Sequence, residues 1–345
     1  MTVYFWSPDV NHPSGGIRAI YRFTDALASS GIDAAVMHQR RGFRASWFQN
    51  TTPVVAAEDV AVRGNDVLVL SELDAPSTIS AAPGVTKVIL NQHQYWTFVQ
   101  GPVDYLHPDV ASVIAVSDDG MRYLTYAFPG LQPHRVRCAV DTDLFRPRVA
   151  DRERAIVFLA GKGTGPRTQV TRILAQRGLI QDWELRPLSG LPQDKMAEAL
   201  GRVAILASFS EFEGFQMLLT EGMASGCAVV GYDAGGGREF LTPDVAFPVP
   251  ASEIVGFAER IEHVTRAWDE DRDSVLAMTA RAISWVRDRY TLAHEAADIV
   301  AAIEPARLRA SVRHPGDGEY VVAARHWGRD IATRMRRAGS ILLRG

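Results

Sequence analysis

Short apolar runs alternate with amphipathic stretches along most of the chain. A first series of strand-like runs falls at 3–6, 34–37, 67–70, 87–90, 112–116 and 135–140. After the polar stretch 151–154 a second series follows at 155–159, 183–187, 203–207, 227–231 and 246–249. Helical periodicity fills the gaps, at 17–29, 119–127, 169–177, 193–200 and 214–225. Strands alternating with helices predict parallel sheets covered on both faces. Two such series predict two doubly wound α/β domains, each of which binds ligands beyond the carboxyl ends of its strands. The pattern places the first domain at 1–148 and the second at 149–305. Residues 252–304 read as mostly helical, and a basic amphipathic helical tail occupies 306–345.

A chain of 345 residues is too long for one ordinary core, in keeping with two domains. Its 47% hydrophobic and 22% charged residues fit a soluble globular protein. The net charge of −3 gives no reason to expect nucleic acid as a partner. Charge is unevenly spread: 306–345 holds nine arginines against Asp317, Glu319 and Asp330. Trp327, Ile331 and Met335 form an apolar stripe among those arginines. The stripe reads as an anchor to an anionic membrane surface through 320–345, or as a helix packing back on the first domain. Cys138 and Cys227 lie in apolar runs and read as reduced, buried thiols. Residues 3–6 begin a strand without a secretory leader, and no apolar run approaches 18 residues. A cytoplasmic enzyme is expected, peripheral at the inner membrane face where the stripe acts as an anchor.

The densest chemistry lies at 211–239. Glu213 and Glu221 stand eight positions apart with Gly214-Phe215 and an apolar helical run between them. A strand follows, then three consecutive glycines, Gly235 to Gly237, and Arg238-Glu239. If Glu213 stands at the helix start, the amides of Phe215, Gln216 and Met217 form an anion-attracting end. An anion is expected there, with Glu213 and Glu221 beside it.

This segment resembles the nucleotide-sugar site of the retaining family 4 group of glycosyltransferases. Their run reads roughly Glu-Gly-Phe-Gly-Leu-Pro-x-x-Glu-Ala-Met-Ala-x-Gly before a hydrophobic strand and a glycine loop ending in Glu. Three further segments extend the resemblance: 13–18, with Gly15-Gly16; Val116-Ser117-Asp118; and 140–147, Val-Asp-Thr-Asp-Leu-Phe-Arg-Pro. The resemblance spans about 3–304. It implies the GT-B fold, two facing Rossmann-like domains with a C-terminal helical segment. It also implies a retaining, metal-independent transferase that moves a sugar from a nucleotide-sugar donor to an acceptor, with no cofactor. Retention would come from attack on the face that the nucleotide leaves, the departing diphosphate serving as base.

The resemblance also assigns roles. Glu213, Lys162 and His93 are the candidate catalytic residues. Gly15, Gly16, Lys162, Arg167, Phe215, Gln216, Met217, Glu221, Gly236 and Arg238 are the candidate donor contacts. An Arg and a Lys are expected after the first strand of the second domain to hold the diphosphate. Lys162 meets that expectation, whereas the arginine has no counterpart unless Arg167 supplies it. Glycines at 161, 163 and 165 could form a backbone anion nest instead. The departure leaves a second reading, a degenerate GT-B protein that binds a nucleotide sugar or partner without transfer. An epimerase on the same fold lacks an acid–base pair. Asp141-Thr142-Asp143 spells a manganese motif of another glycosyltransferase fold, but here it reads as a turn ahead of Phe145, with no metal expected.

Overall fold

The structure, a computed structural model, describes residues 1–321. It divides into two compact units, one of residues 1–137 with 295 onward, the other of 138–294. Each is a Rossmann-like α/β layer structure.

The first unit contains β1 (Val3–Trp6), β2 (Ala34–His38), β3 (Val54–Ala56), β4 (Ala61–Arg63), β5 (Val67–Ser71), β6 (Thr86–Asn91), β7 (Val110–Ala115) and β8 (His134–Arg135). Its helices are α1 (Gly15–Ser29), α2 (Ala75–Ala81) and α3 (Asp118–Ala127). Seven strands form a parallel sheet in the order β3-β2-β1-β5-β6-β7-β8. Strands such as β5 and β6 are covered on both faces, which is why they read as unbroken apolar runs rather than alternating ones. Ser117 caps α3 by accepting from the Gly120 amide at 3.0 Å.

The second unit holds β9 (Glu153–Leu159), β10 (Glu184–Leu188), β11 (Val203–Ser208), β12 (Ala228–Tyr232) and β13 (Phe247–Val249). Its helices are α4 (Thr164–Arg177), α5 (Gln193–Arg202), α6 (Met217–Ala224), α7 (Ile254–Glu270) and α8 (Arg272–Arg289). The five strands are parallel in the order β10-β9-β11-β12-β13. Ile156, Ile205 and Val230 from the sheet pack with Val170 and Leu174 of α4 and Phe257 and Ile261 of α7. Helix α9 (Leu292–Ser311) then leads to β14 (Glu319–Val321), which pairs antiparallel with β4.

Both junctions differ from the sequence pattern, which sets them at 148/149 and 305/306. Arg137 stays with the first unit because its guanidinium clamps Asp298 of α9 through two bonds of 2.7 Å. The next residues belong to the second: Val140 donates to Tyr290 O at 2.9 Å and Arg148 to Gly201 O at 2.9 Å. The expected strand at 135–140 is accordingly reduced to β8. The expected tail at 306–345 is α9 and β14 as far as Val321, while Trp327, the apolar stripe and their arginines lie outside the described residues. Among the described residues no helix is long and apolar enough to cross a membrane.

Candidate functional site

In the second unit the chain leaves β9 toward β10 on one side and later returns through β11 to the other. The switch point therefore lies between β9 and β11, where an open parallel sheet forms its ligand crevice. Three neighbouring loops leave the carboxyl ends of β9, β11 and β12 there, and they carry Lys162, Glu213 and the triple glycine.

The loop after β11 is shaped by the one after β12. Glu213 donates its amide to Ala234 O at 2.9 Å and accepts the Gly236 amide at 3.2 Å, a short parallel bridge. Backbone held in that extended pairing cannot also be helical. The expected helix from 214 therefore starts only at Met217, and the amide of Met217 is already bonded to Phe215 O at 3.1 Å. The anion-attracting end expected at 215–217 is corrected accordingly: Met217 is the first residue of α6 and its N–H is engaged. Phe215 is a core residue, ring to ring with Phe240 at 5.4 Å and Tyr290 at 5.3 Å. Gln216 is buried and donates Nε2 to Tyr232 O at 3.2 Å, tying the two loops together.

The glycine loop owes its shape to Asp233, which motif reading passed over. Its carboxylate accepts the Gly235 amide at 2.9 Å, its carbonyl accepts Gly237 at 2.7 Å, and Arg238 reaches it at 3.3 Å. An Asp ahead of a glycine run is the signal that could have found it. Ala234 takes φ +50° and Gly235 φ +80°, a left-handed pair. For a non-glycine residue that conformation is uncommon and tends to occur at functional loops. Tyr290 was also missed; its hydroxyl donates to Glu239 at 2.5 Å and fixes the end of the loop.

Lys162 and Glu213 meet as an ion pair across the switch point. Arg167 does not join them: its guanidinium binds the carbonyls of Leu159, at 3.1 Å, and Ala160, and lies over the Phe158 ring. Gly163, at φ +56°, precedes α4 against β11's exit; a Cβ there would overlap the Phe209 carbonyl. Glu221 sits on α6 and is 4% exposed. Its neighbour Gly222 lets α6 press on β11, where a Cβ would overlap Leu206. Arg238 is paired with Asp233, the structural alternative to an anion contact.

The remaining candidates belong to the first unit, whose switch point lies between β1 and β5. Gly15 and Gly16 open α1 after β1. Gln92 donates to the Gly16 carbonyl at 3.0 Å, and a Cβ on Gly16 would stand 2.9 Å from Gln92 Oε1, the end of a side chain that can turn aside. His93 follows β6, buried and stacked on Trp96 at 4.2 Å. Glu72 was missed. It lies at the end of β5, buried, and accepts the Gln92 amide at 3.1 Å. Burial first, and Asp74 after it, push its carboxyl up to about 8.

Asp141 accepts the amides of Asp143 and Leu144 at 3.1 Å each, the turn expected ahead of Phe145. Among the described residues no cluster of three acid, His or Cys side chains could hold a metal ion. Both cysteines are unbridged and buried, and burial pushes the Cys227 thiol up to about 11, far from reactive.

Residues 112–266 match the family described as Glycosyl transferases group 1. With that segment on a GT-B fold, the chain is a glycosyltransferase of the GT-B type. Among solved structures it is similar to HepE of Anabaena in complex with UDP-glucose, at 14% identity, covering 88% of this chain and 99% of that one, TM-score 0.69. It is also similar to the sucrose-phosphate synthase of Thermosynechococcus elongatus, at 13% identity, 90% and 99% coverage and TM-score 0.67. The pneumococcal O-GlcNAc transferase GtfA, in complex with UDP and GlcNAc, aligns at 9% identity, 89% and 99% coverage and TM-score 0.64. At such identities the likeness is one of fold. No curated protein matches the chain by sequence.

Proposed function

We propose that the protein is a retaining, metal-independent glycosyltransferase that takes a sugar from a nucleotide-sugar donor. The observation that carries this reading is the meeting of Lys162, Glu213 and the glycine loop at the switch point of the second unit. Glu213 orients the sugar, and Lys162 counters charge developing on the departing diphosphate. Glu221 holds the ribose. The acceptor hydroxyl attacks on the face the nucleotide leaves, and its proton passes to the leaving diphosphate, so the protein supplies no nucleophile. Uridine donors come first for testing, because HepE and GtfA were captured with UDP. The proposed setting is cytoplasmic, with 320–345 drawing the enzyme to anionic membrane.

A thermal-shift screen over nucleotide sugars tests the donor. Saturation at 100 times the dissociation constant should add about 2.7 kcal/mol of stability. A full panel without any shift sinks the reading. Activity, once found, should survive EDTA unchanged; loss on chelation with recovery on manganese would return Asp141 and Asp143 to consideration.

Glu221→Ala should weaken nucleotide binding about 10- to 100-fold, since a hydrogen bond from a charged partner is worth about 1.5–3 kcal/mol. Calorimetry with UDP reads it, and an unchanged affinity in a folded variant takes Glu221 out of the site.

One observation favours a second reading, binding without transfer. Arg167 is engaged with backbone carbonyls, so the second cation expected at the diphosphate is spent elsewhere. Donor binding without turnover, unaffected by Lys162→Ala, would select that reading.

A further inference from the structure

All seven strands of the first unit's large sheet run parallel, so their starts gather at one end, opposite the ligand crevice. Residues 1–2, 64–66, 83–85 and 104–109 lead into β1, β5, β6 and β7 there, and α3 ends ahead of β8. Met1 N lies 3.9 Å from Asp66, and Gly64 donates to Pro315 O at 3.4 Å. Arg309 binds Pro108 O at 2.5 Å, and Arg313 binds the Gly84 carbonyl and, at 2.9 Å, Asp109. These bonds join the strand starts and the end of α9 into one face.

Exposed apolar side chains collect on this face. Among the described residues of the unit seven large ones are exposed, and all but Phe98 stand at this end. Met1 precedes β1, Leu106 precedes β7, and Tyr126 lies in the last turn of α3, 90% exposed. Leu308 and Val312, four positions apart, form one stripe at the end of α9, with Val312 84% exposed. Val321 closes β14. Single exposed apolar residues are ordinary, whereas a gathering of them marks an interaction surface. The carboxylates at the strand starts present little charge, since Asp66 and Asp109 are buried and engaged by backbone amides and Arg313. Val321 leads directly into 322–345, which carries six arginines against one acid, Asp330.

Resting on the membrane reading of 320–345, we propose that this end of the first unit is itself a docking surface for an anionic bilayer. The arginines after β14 supply the long-range pull. Leu106, Tyr126, Leu308, Val312 and Val321 enter the headgroup region and hold the unit in one orientation. Tyrosine suits that depth, because its ring is apolar and its hydroxyl stays in water. A charged segment alone leaves the folded body free to turn, and the apolar face fixes it. The carboxyl ends of the strands then point away from the lipid, about 20 Å off for the six residues of β6. The ligand crevice of this unit is thereby open to water.

The test uses the full chain with vesicles of equal parts phosphatidylcholine and phosphatidylglycerol. Leu308→Gln combined with Val312→Gln should weaken partition about tenfold, the scale for keeping one aliphatic side chain in water. No arginine changes in that variant, so the loss reads the apolar contact. Both positions are exposed, so the thermal midpoint should hold. Leu179→Gln, exposed in the second unit, should bind like the wild type. An environment-sensitive dye on Val312→Cys should brighten with vesicles, and one on Leu179→Cys should not; the native thiols are buried and stay unlabelled. The docking surface is overturned by unchanged partition of the double variant, by an equal loss in Leu179→Gln, or by a silent dye at position 312. The charged segment would then be the sole anchor. Absence of vesicle binding by the wild type at low salt overturns the membrane reading of 320–345, and the surface with it.

Discussion

Glu213→Gln is expected to lower the turnover number about 100-fold, the scale seen when one polar group aimed at transition-state charge is removed. In the transfer reaction positive charge builds on the sugar as its bond to the diphosphate lengthens, and a carboxylate held against the sugar hydroxyls stabilises it more than the neutral ground state. Such an effect falls on kcat, whereas loss of ordinary binding would fall on KM. The carboxylate is well placed for this, since its backbone is locked between Ala234 and Gly236 and cannot drift when charge develops. Initial rates over a range of donor concentrations separate the two constants. A variant with full kcat and only a raised KM would make Glu213 a binding residue and nothing more.

How far could this have been read from residues alone? The parallel strands were legible because burial on both faces writes them as apolar runs, as in Ala-Val-Val-Gly-Tyr of β12. Three-residue β3, β4 and β14 were not, because their pairing depends on distant partners: β4 finds β14 only after the chain has passed through both units. Short α2, with Ile79 as its one large apolar residue among Ala, Pro, Ser and Thr, has too few periodic positions to stand out. The domain junctions slipped because Arg137 and Asp298, 161 positions apart, decide where the first unit ends.

The site followed the same rule. Glu213, Glu221 and the glycines were visible because they lie within one run of 29 residues. The late start of α6 was invisible, since the bridge from Glu213 to Gly235 overrides the helical tendency of the residues that follow. The pairing of Lys162 with Glu213 was hidden too. Spacing within one segment shows nothing about which loops a parallel sheet brings side by side, and here the strand order, β9 next to β11, supplies the contact.

The β11 loop also meets the β12 loop, and the two come very close at Gly236. A Cβ there would overlap the carbonyl of Gly214 and stand 2.9 Å from that of Glu213. Both obstacles are backbone, so no side-chain rotation relieves them, and Gly236→Ala must push the β12 loop away from the β11 loop. The bonds lost first are those holding Glu213, the Gly236 amide on Glu213 O and the Glu213 amide on Ala234 O. A displacement on the order of 1 Å at a catalytic group costs about 100-fold in rate, and the expected loss in kcat/KM for Gly236→Ala is of that size. Stability should suffer far less, because the loop lies outside the core formed by the sheet with α4 and α7. Paired measurements of kcat/KM and of the thermal midpoint check this. A fully active Gly236→Ala variant would show that the two loops can separate without consequence, and the locked carboxylate on which the mechanism depends would have to be abandoned.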